Sequence, residues 1–90
     1  MEQESFGEVI PKVTQLANNQ FIIKTEEFRA FQSYDSIIAI KYFNGQVVLD
    51  ENTWDYSRTT GKYRGQFLNE GIQETRKKIE RGEYVLAKLN

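Results

Sequence analysis

Apolar and polar positions alternate with a period of two through much of the first half of this chain, and the period lengthens to about 3.6 after Asn52. Phe21-Ile22-Ile23-Lys24 reads as a short strand, and Thr25-Glu26-Glu27 as a turn. Phe28 to Tyr34 is rich in strand-forming aromatics and reads as a second strand, with a break or bulge at Asp35-Ser36. Ile37 to Phe43 and Gln46 to Asp50 then flank Asn44-Gly45. Asn-Gly accepts positive φ at both central positions of a two-residue hairpin turn. The expected register sets Tyr42 against Val47, Lys41 against Val48 and Ile40 against Leu49. Ile38, Ile40, Tyr42, Val47 and Leu49 would then share an apolar inner face. Ile37, Ala39, Lys41, Phe43, Gln46, Val48 and Asp50 would form a mixed outer face, half solvated or holding a partner.

Beyond Asn52, Tyr56, Thr60, Tyr63 and Phe67 fall on one helical stripe with Ser57 as N-cap. Gly61 and Gly65 lie inside this segment and would either align where a backbone approaches closely or break the helix. Asn69 is the expected cap of a second helix, Glu70–Arg81, with Ile72 and Ile79 inward and Glu74 paired to Lys78. Gly82 suits the position after its C-terminus, and Glu83 to Leu89 alternates as a last strand. Residues 1–19 carry little pattern. Pro11 to Ala17 admits a short helix stopped by Asn18-Asn19, or an arm or frayed tail. The expected fold is α+β, in the order (α)-β-β-β-β-α-α-β: an antiparallel sheet of four to five strands with two C-terminal helices on one face. Residues 20–90 would make a single domain.

Composition narrows the chemistry more than the fold. A chain of 90 residues makes one domain with a modest core, stable by ~5–10 kcal/mol. Six Phe, five Tyr and one Trp supply large buried areas. There is no Cys and no His, so disulfides, thiolate sites, thiol nucleophiles and imidazole bases are excluded. The chain is therefore expected not to be an enzyme, and no metal or cofactor is expected. An enzyme would have to work with carboxylates, Lys and Tyr alone. No run reaches the ~20 apolar residues of a membrane span, and Met1 to Ser5 lacks the features of a signal peptide. A cytoplasmic location in a host cell is expected. Residues 1–55 sum to −5 and residues 56–90 to +4, which is either two faces that mate with something or uneven solvation.

Candidate chemistry gathers between Trp54 and Arg64. Thr59-Thr60-Gly61-Lys62 is not a phosphate loop, because Tyr56 stands where its first Gly belongs and Tyr63 follows the Lys. Trp54 either stacks on a ligand or caps the core. Arg58, Lys62 and Arg64 with Tyr56 and Tyr63 form a cationic and aromatic mixture of the kind that binds single strands or phosphates. The plain alternative is an amphipathic helix with a solvated cationic side. Arg76, Lys77, Lys78 and Arg81 carry the same two meanings, since helix C-termini attract cations. Were both sets on one side, seven positive groups would collect. Asp50, Glu51 and Asp55 lie close in sequence but match no metal-loop pattern, and Asp55 reads better as a cap or a partner of Arg58.

The stretch Phe31-Gln32-Ser33-Tyr34-Asp35-Ser36-Ile37-Ile38-Ala39, then Leu49-Asp50 and Trp54-Asp55-Tyr56-Ser57-x-Thr59-Thr60-x-Lys62-Tyr63-Arg64-x-x-Phe67-Leu68, resembles a small domain of unknown function from bacteriophage and mobile-element proteins. The resemblance covers residues 28–89 and implies a small α+β domain with no catalytic residue to carry over. Small phage accessory proteins commonly bind and block host proteins. The leading expectation is thus a non-enzymatic module that docks on a host or phage protein and inhibits a host defence system. Its expected contacts are Phe43, Trp54, Arg58, Lys62 and Arg64. The alternative is a nucleic-acid or nucleotide binder using Tyr56, Arg58, Lys62, Tyr63, Arg64, Arg76, Lys77 and Lys78. A homodimer is compatible with either.

Overall fold

The computed structural model describes residues 11–90. Its elements are β1 (Lys12–Ala17), β2 (Gln20–Lys24), β3 (Phe28–Ser33), β4 (Ser36–Tyr42), β5 (Val47–Asp50), α1 (Arg58–Leu68), α2 (Ile72–Glu80) and β6 (Tyr84–Ala87). All six strands form one sheet in chain order. The first five pair antiparallel, and β6 lies parallel to β5. The two helices supply the long crossover that a parallel neighbour requires.

This corrects the expected antiparallel sheet of four to five strands: the sheet is mixed and has six. The extra strand is the segment expected to be helical. Lys12–Ala17 carries the β-branched pair Val13-Thr14 and finds backbone partners on β2. Asn18-Asn19 is the turn between these strands, with Asn19 at φ 63, a left-handed conformation that Asn tolerates.

The β4–β5 hairpin also departs from expectation, by one residue. Lys41 pairs with Val47, Ile40 with Val48 and Ala39 with Leu49. The loop has three residues because Gly45 alone takes positive φ, at 98°. The Gly45 N–H donates to the Tyr42 carbonyl (3.0 Å), and the Gln46 N–H donates to Asn44 Oδ1 (2.9 Å). The slip returns Ile40 and Tyr42 to the face opposite Val47 and Leu49. Ile38 stays inside for a separate reason. The β3–β4 register shifts between Phe31 and Gln32, and the bulge lets both Ile38 and Ala39 join the core.

The core lies between one sheet face and the helices. Phe31, Ile38, Ala39, Val47 and Leu49 from the sheet meet Phe67 and Leu68 of α1. The Phe31 and Phe67 ring centroids are 6.1 Å apart. Ser33 and Thr60 share a buried hydroxyl hydrogen bond of 2.8 Å between β3 and α1. Ser57 caps α1 as its sequence suggests, its Oγ accepting from the Thr60 N–H at 3.1 Å.

Asn69 ends α1 instead of starting α2. It takes φ 58, and the Glu70 N–H reaches back to the Gly65 carbonyl at 3.1 Å. A side chain at Gly65 would stand 3.0 Å from the Glu70 carbonyl oxygen, so this glycine permits the tight exit. The second helix therefore starts at Ile72, two residues later than its pattern suggests. Its end is as expected: Gly82 adopts φ 78, and the Glu83 N–H donates to the Lys78 carbonyl at 2.9 Å.

Candidate functional site

The loop between β5 and α1 is built on Asp50. Its Oδ2 accepts from the N–H groups of Asn52 (3.2 Å) and Thr53 (2.9 Å) and from the Thr53 hydroxyl (2.7 Å). Its Oδ1 accepts from the Leu89 N–H at 2.8 Å, tying the C-terminal segment to the sheet. Burial raises the carboxyl pKa, but these four donors outweigh it and hold it below its ordinary 3.8. Asp50 is 2% exposed and fully occupied by this structural work.

Trp54 is half-buried, and it packs on the core. The Arg64 guanidinium lies over its ring, 5.3 Å from the centroid. Arg64 is only 3% exposed; its Nη1 donates to the Trp54 carbonyl and approaches Asp55 Oδ1 at 3.4 Å. Asp55 also meets Arg76 at 3.3 Å, so one carboxylate links the loop, α1 and α2. The expected Asp55–Arg58 pair does not form. Arg64 is thus an internal bracket.

A second cluster sits between α2 and β6. Glu70 Oε1 accepts from Lys78 Nζ and from the Tyr84 hydroxyl, both at 2.8 Å, and Oε2 accepts from the Thr75 hydroxyl at 2.5 Å. Burial raises the Glu70 pKa, yet Lys78, Thr75 and Tyr84 together hold it below the ordinary 4.5. Burial and the bond to Glu70 push Tyr84 up to about 12. The bond to Glu70 raises Lys78 above 10.5. Glu74 therefore loses Lys78, its expected partner, and lies 3.9 Å from Arg81 instead. Glu70 is the better partner because its side chain is 6% exposed, where a charge pair is less screened.

The helix cations consequently do not collect on one surface. Arg64 and Lys78 are held by carboxylates, Arg76 by Asp55, and Arg81 by Glu83 at 2.8 Å. Arg58, Lys62 and Lys77 stay exposed, and Lys62 Nζ lies 5.3 Å from the Tyr63 ring centroid. Tyr56 is exposed, whereas Tyr63 packs against the core. Arg58, Lys62 and Arg64 do line a common open groove of about 680 Å³ between the helices, but Asp55 and Glu70 line it too. Phe43 projects from the β4–β5 loop, 57% exposed and away from that groove.

Register across strands creates one surface absent from the sequence pattern and changes the membership of another, the outer face expected to hold a partner, which keeps Ile37 and Val48, gains Ile40 and Tyr42 and loses Ala39 and Lys41. On the helix-bearing face, pairing aligns Lys12, Lys24, Arg29 and Lys41 across β1 to β4. Among the described residues none of these four lies within 4.0 Å of a carboxylate. On the opposite face, Val13, Ile23, Ala30, Ile40, Val48 and Val85 form an apolar row across all six strands. Phe21 and Ile37 flank this row on one side, and Phe28 and Tyr42 on the other. The Phe28 and Tyr42 rings meet edge to face at 5.7 Å. Neither described helix contributes to this face; the helices' core contacts all lie on the other. Tyr34, expected to end the second strand, lies beyond it instead, 51% exposed and held at φ 57, an uncommon conformation for a bulky residue.

The chain is a small α+β domain without histidine or cysteine, and its shifted acid–base groups are engaged in internal bonds. The chain belongs to DUF8033, a family of unknown function whose model matches residues 6–85. The resemblance to a domain of unknown function is therefore sound. No curated protein and no solved structure matches closely enough to add to this assignment. Among the described residues no helix is long and apolar enough to cross a membrane.

Proposed function

We propose that this domain works by contact with another protein and carries no catalytic centre of its own. The carrying observation is the uncharged sheet face of Val13, Ile23, Ala30, Ile40, Val48 and Val85. Apolar area of this extent, covered by neither described helix, favours a partner that is flat, apolar and uncharged. The internal engagement of Asp50, Glu70, Lys78 and Tyr84 adds support, since these are the groups whose acidity departs from the ordinary. The narrower form of this proposal follows from the phage resemblance: an accessory protein in the cytoplasm of a host cell that blocks a host defence protein.

A photo-crosslinking side chain placed at Val48 tests the contact against one placed at Lys62. Capture of a protein from Val48, abolished by Ile40→Lys and retained in Arg58→Ala, is the expected result. Equal capture from both positions, or none from Val48, overturns it.

The cationic row favours a second reading, a single-stranded nucleic-acid binder. Strands lie ~4.8 Å apart, so Lys12, Lys24, Arg29 and Lys41 span roughly 14 Å. Like charges directly opposed across strands repel, and a polyanion relieves that cost. Leu16, Ile22 and Phe43 line the adjoining groove of about 530 Å³, and Phe43 offers a ring for stacking. This relocates the nucleic-acid alternative from the helices to the sheet. Its mark is a steep loss of oligonucleotide affinity between 50 and 200 mM salt, by roughly tenfold or more for four contacts. Flat salt dependence removes it.

A further inference from the structure

Resting on the protein-contact reading above, we propose that the sheet face covered by neither described helix packs against the same face of a second copy of this chain, giving a two-fold dimer of stacked sheets. The first ground is charge. The strand residues on this face are Val13, Ile23, Ala30, Ile40, Val48 and Val85, with Phe21, Phe28, Ile37 and Tyr42 beside them. Among the described strand residues their only polar companions are Gln15, Gln32 and Asp50, and Asp50 is 2% exposed with its carboxylate turned into its own loop. A neutral face is complementary to itself, because a two-fold axis brings no like charges together. The opposite face would set the Lys24, Arg29 and Lys41 row against its own copy. Charge alone thus selects which face can self-associate.

The second ground is size. Six strands at ~4.8 Å and about five residues at ~3.3 Å give a footprint of roughly 480 Å² per copy. Two copies then bury roughly 1,000 Å², the size at which a specific interface begins. Stacked sheets sit ~10 Å apart with strands near −30°. The area is at the lower bound, so the dimer is of micromolar strength and exchanges with monomer.

Sedimentation equilibrium of the full chain over 1–200 μM tests this. The expected result is concentration-dependent dimer. Ile40→Lys should raise the dissociation constant at least about 100-fold, because it buries an unpaired charge, while Lys41→Gln on the other face leaves it unchanged. If Ile40→Lys does not fold, Val85→Lys, at a position 43% exposed, serves the same purpose. A dimer indifferent to both substitutions overturns the proposal. So does a chain that stays monomeric, and an apolar dye then separates the two readings. If the dye binds the monomer and is lost in Ile40→Lys, the docking face stands and only its occupant was wrong. If no dye binds and Ile40→Lys lowers stability, the face is covered within one chain, and both readings fall.

Discussion

The two faces of this sheet are made from the same six strands and differ in almost every physical respect. One is roofed by α1 and α2, buries Phe31, Ile38, Ala39, Val47 and Leu49, and carries a row of four cations, of which Arg29 lies over the Phe67 ring of α1. The other has apolar side chains across all six strands and no helix from the described chain. Burial of apolar area is what stabilises a small domain, and a helix layer supplies it on one side only. The open face leaves stability unrealised, and a partner can supply it. That is why the unroofed side, and not the cationic helices, is the better candidate for function.

The sharpest contrast compares adjacent residues of β5. Leu49→Ala, at a position 0% exposed, should cost about 3 kcal/mol, and Val48→Ala on the open face less than about 1 kcal/mol, by urea unfolding. Similar values for the two would erase the distinction between the faces.

Asp50→Ala comes next, at about 2–3 kcal/mol. It leaves the N–H groups of Asn52, Thr53 and Leu89 without their acceptor and releases the C-terminal segment from the sheet. Exchange of the Leu89 amide should speed up more than that of any β2 amide.

The pH profile tests whether the helix side holds its charge network. Asp50 and Glu70 are held below 3.8 and 4.5, so their stabilisation is complete above those values and is lost as pH falls through the lower folded-state ones. Tyr84, raised from 10.0 to about 12, and Lys78, raised from 10.5, contribute fully below pH 10 and lose it as pH rises toward 12. Melting temperatures should therefore hold level between about pH 5 and 10 and fall on both sides. Glu70→Gln should flatten the alkaline fall.

The smallest effect is a gain. Gln20 is 0% exposed on the helix-bearing face, and neither of its amide atoms has a partner among the described residues. Gln20→Leu should stabilise by about 1 kcal/mol, read as a higher urea midpoint, since it removes an unpaired buried amide. A loss of stability would show that the amide is bonded in solution.

Local elements were readable wherever one residue type forces one backbone state. Ser57 capping α1, Gly82 closing α2 and a hairpin around Asn44-Gly45 all followed from side-chain chemistry within a few residues. The site was much less readable. Arg58 and Lys62 were correctly seen as exposed cations, but Arg64 and Lys78 carry the same chemistry in sequence and are drawn into ion pairs by carboxylates at Asp55 and Glu70. The cationic row was invisible because Lys12, Lys24, Arg29 and Lys41 lie far apart along a stretch that sums as acidic.

By itself, then, the amino-acid sequence determined that strands and helices are combined, most of their positions and the lack of imidazole and thiol chemistry, while the sheet architecture it suggested was overturned. Each of these depends on short-range backbone preference or on composition. Only the tertiary structure decided that Lys12–Ala17 is a strand, that Ile40 and Tyr42 face away from the helices, and which helix cations are held by carboxylates. A strand of marginal propensity forms when a neighbour offers its backbone bonds, and a one-residue change in a loop turns a whole strand over.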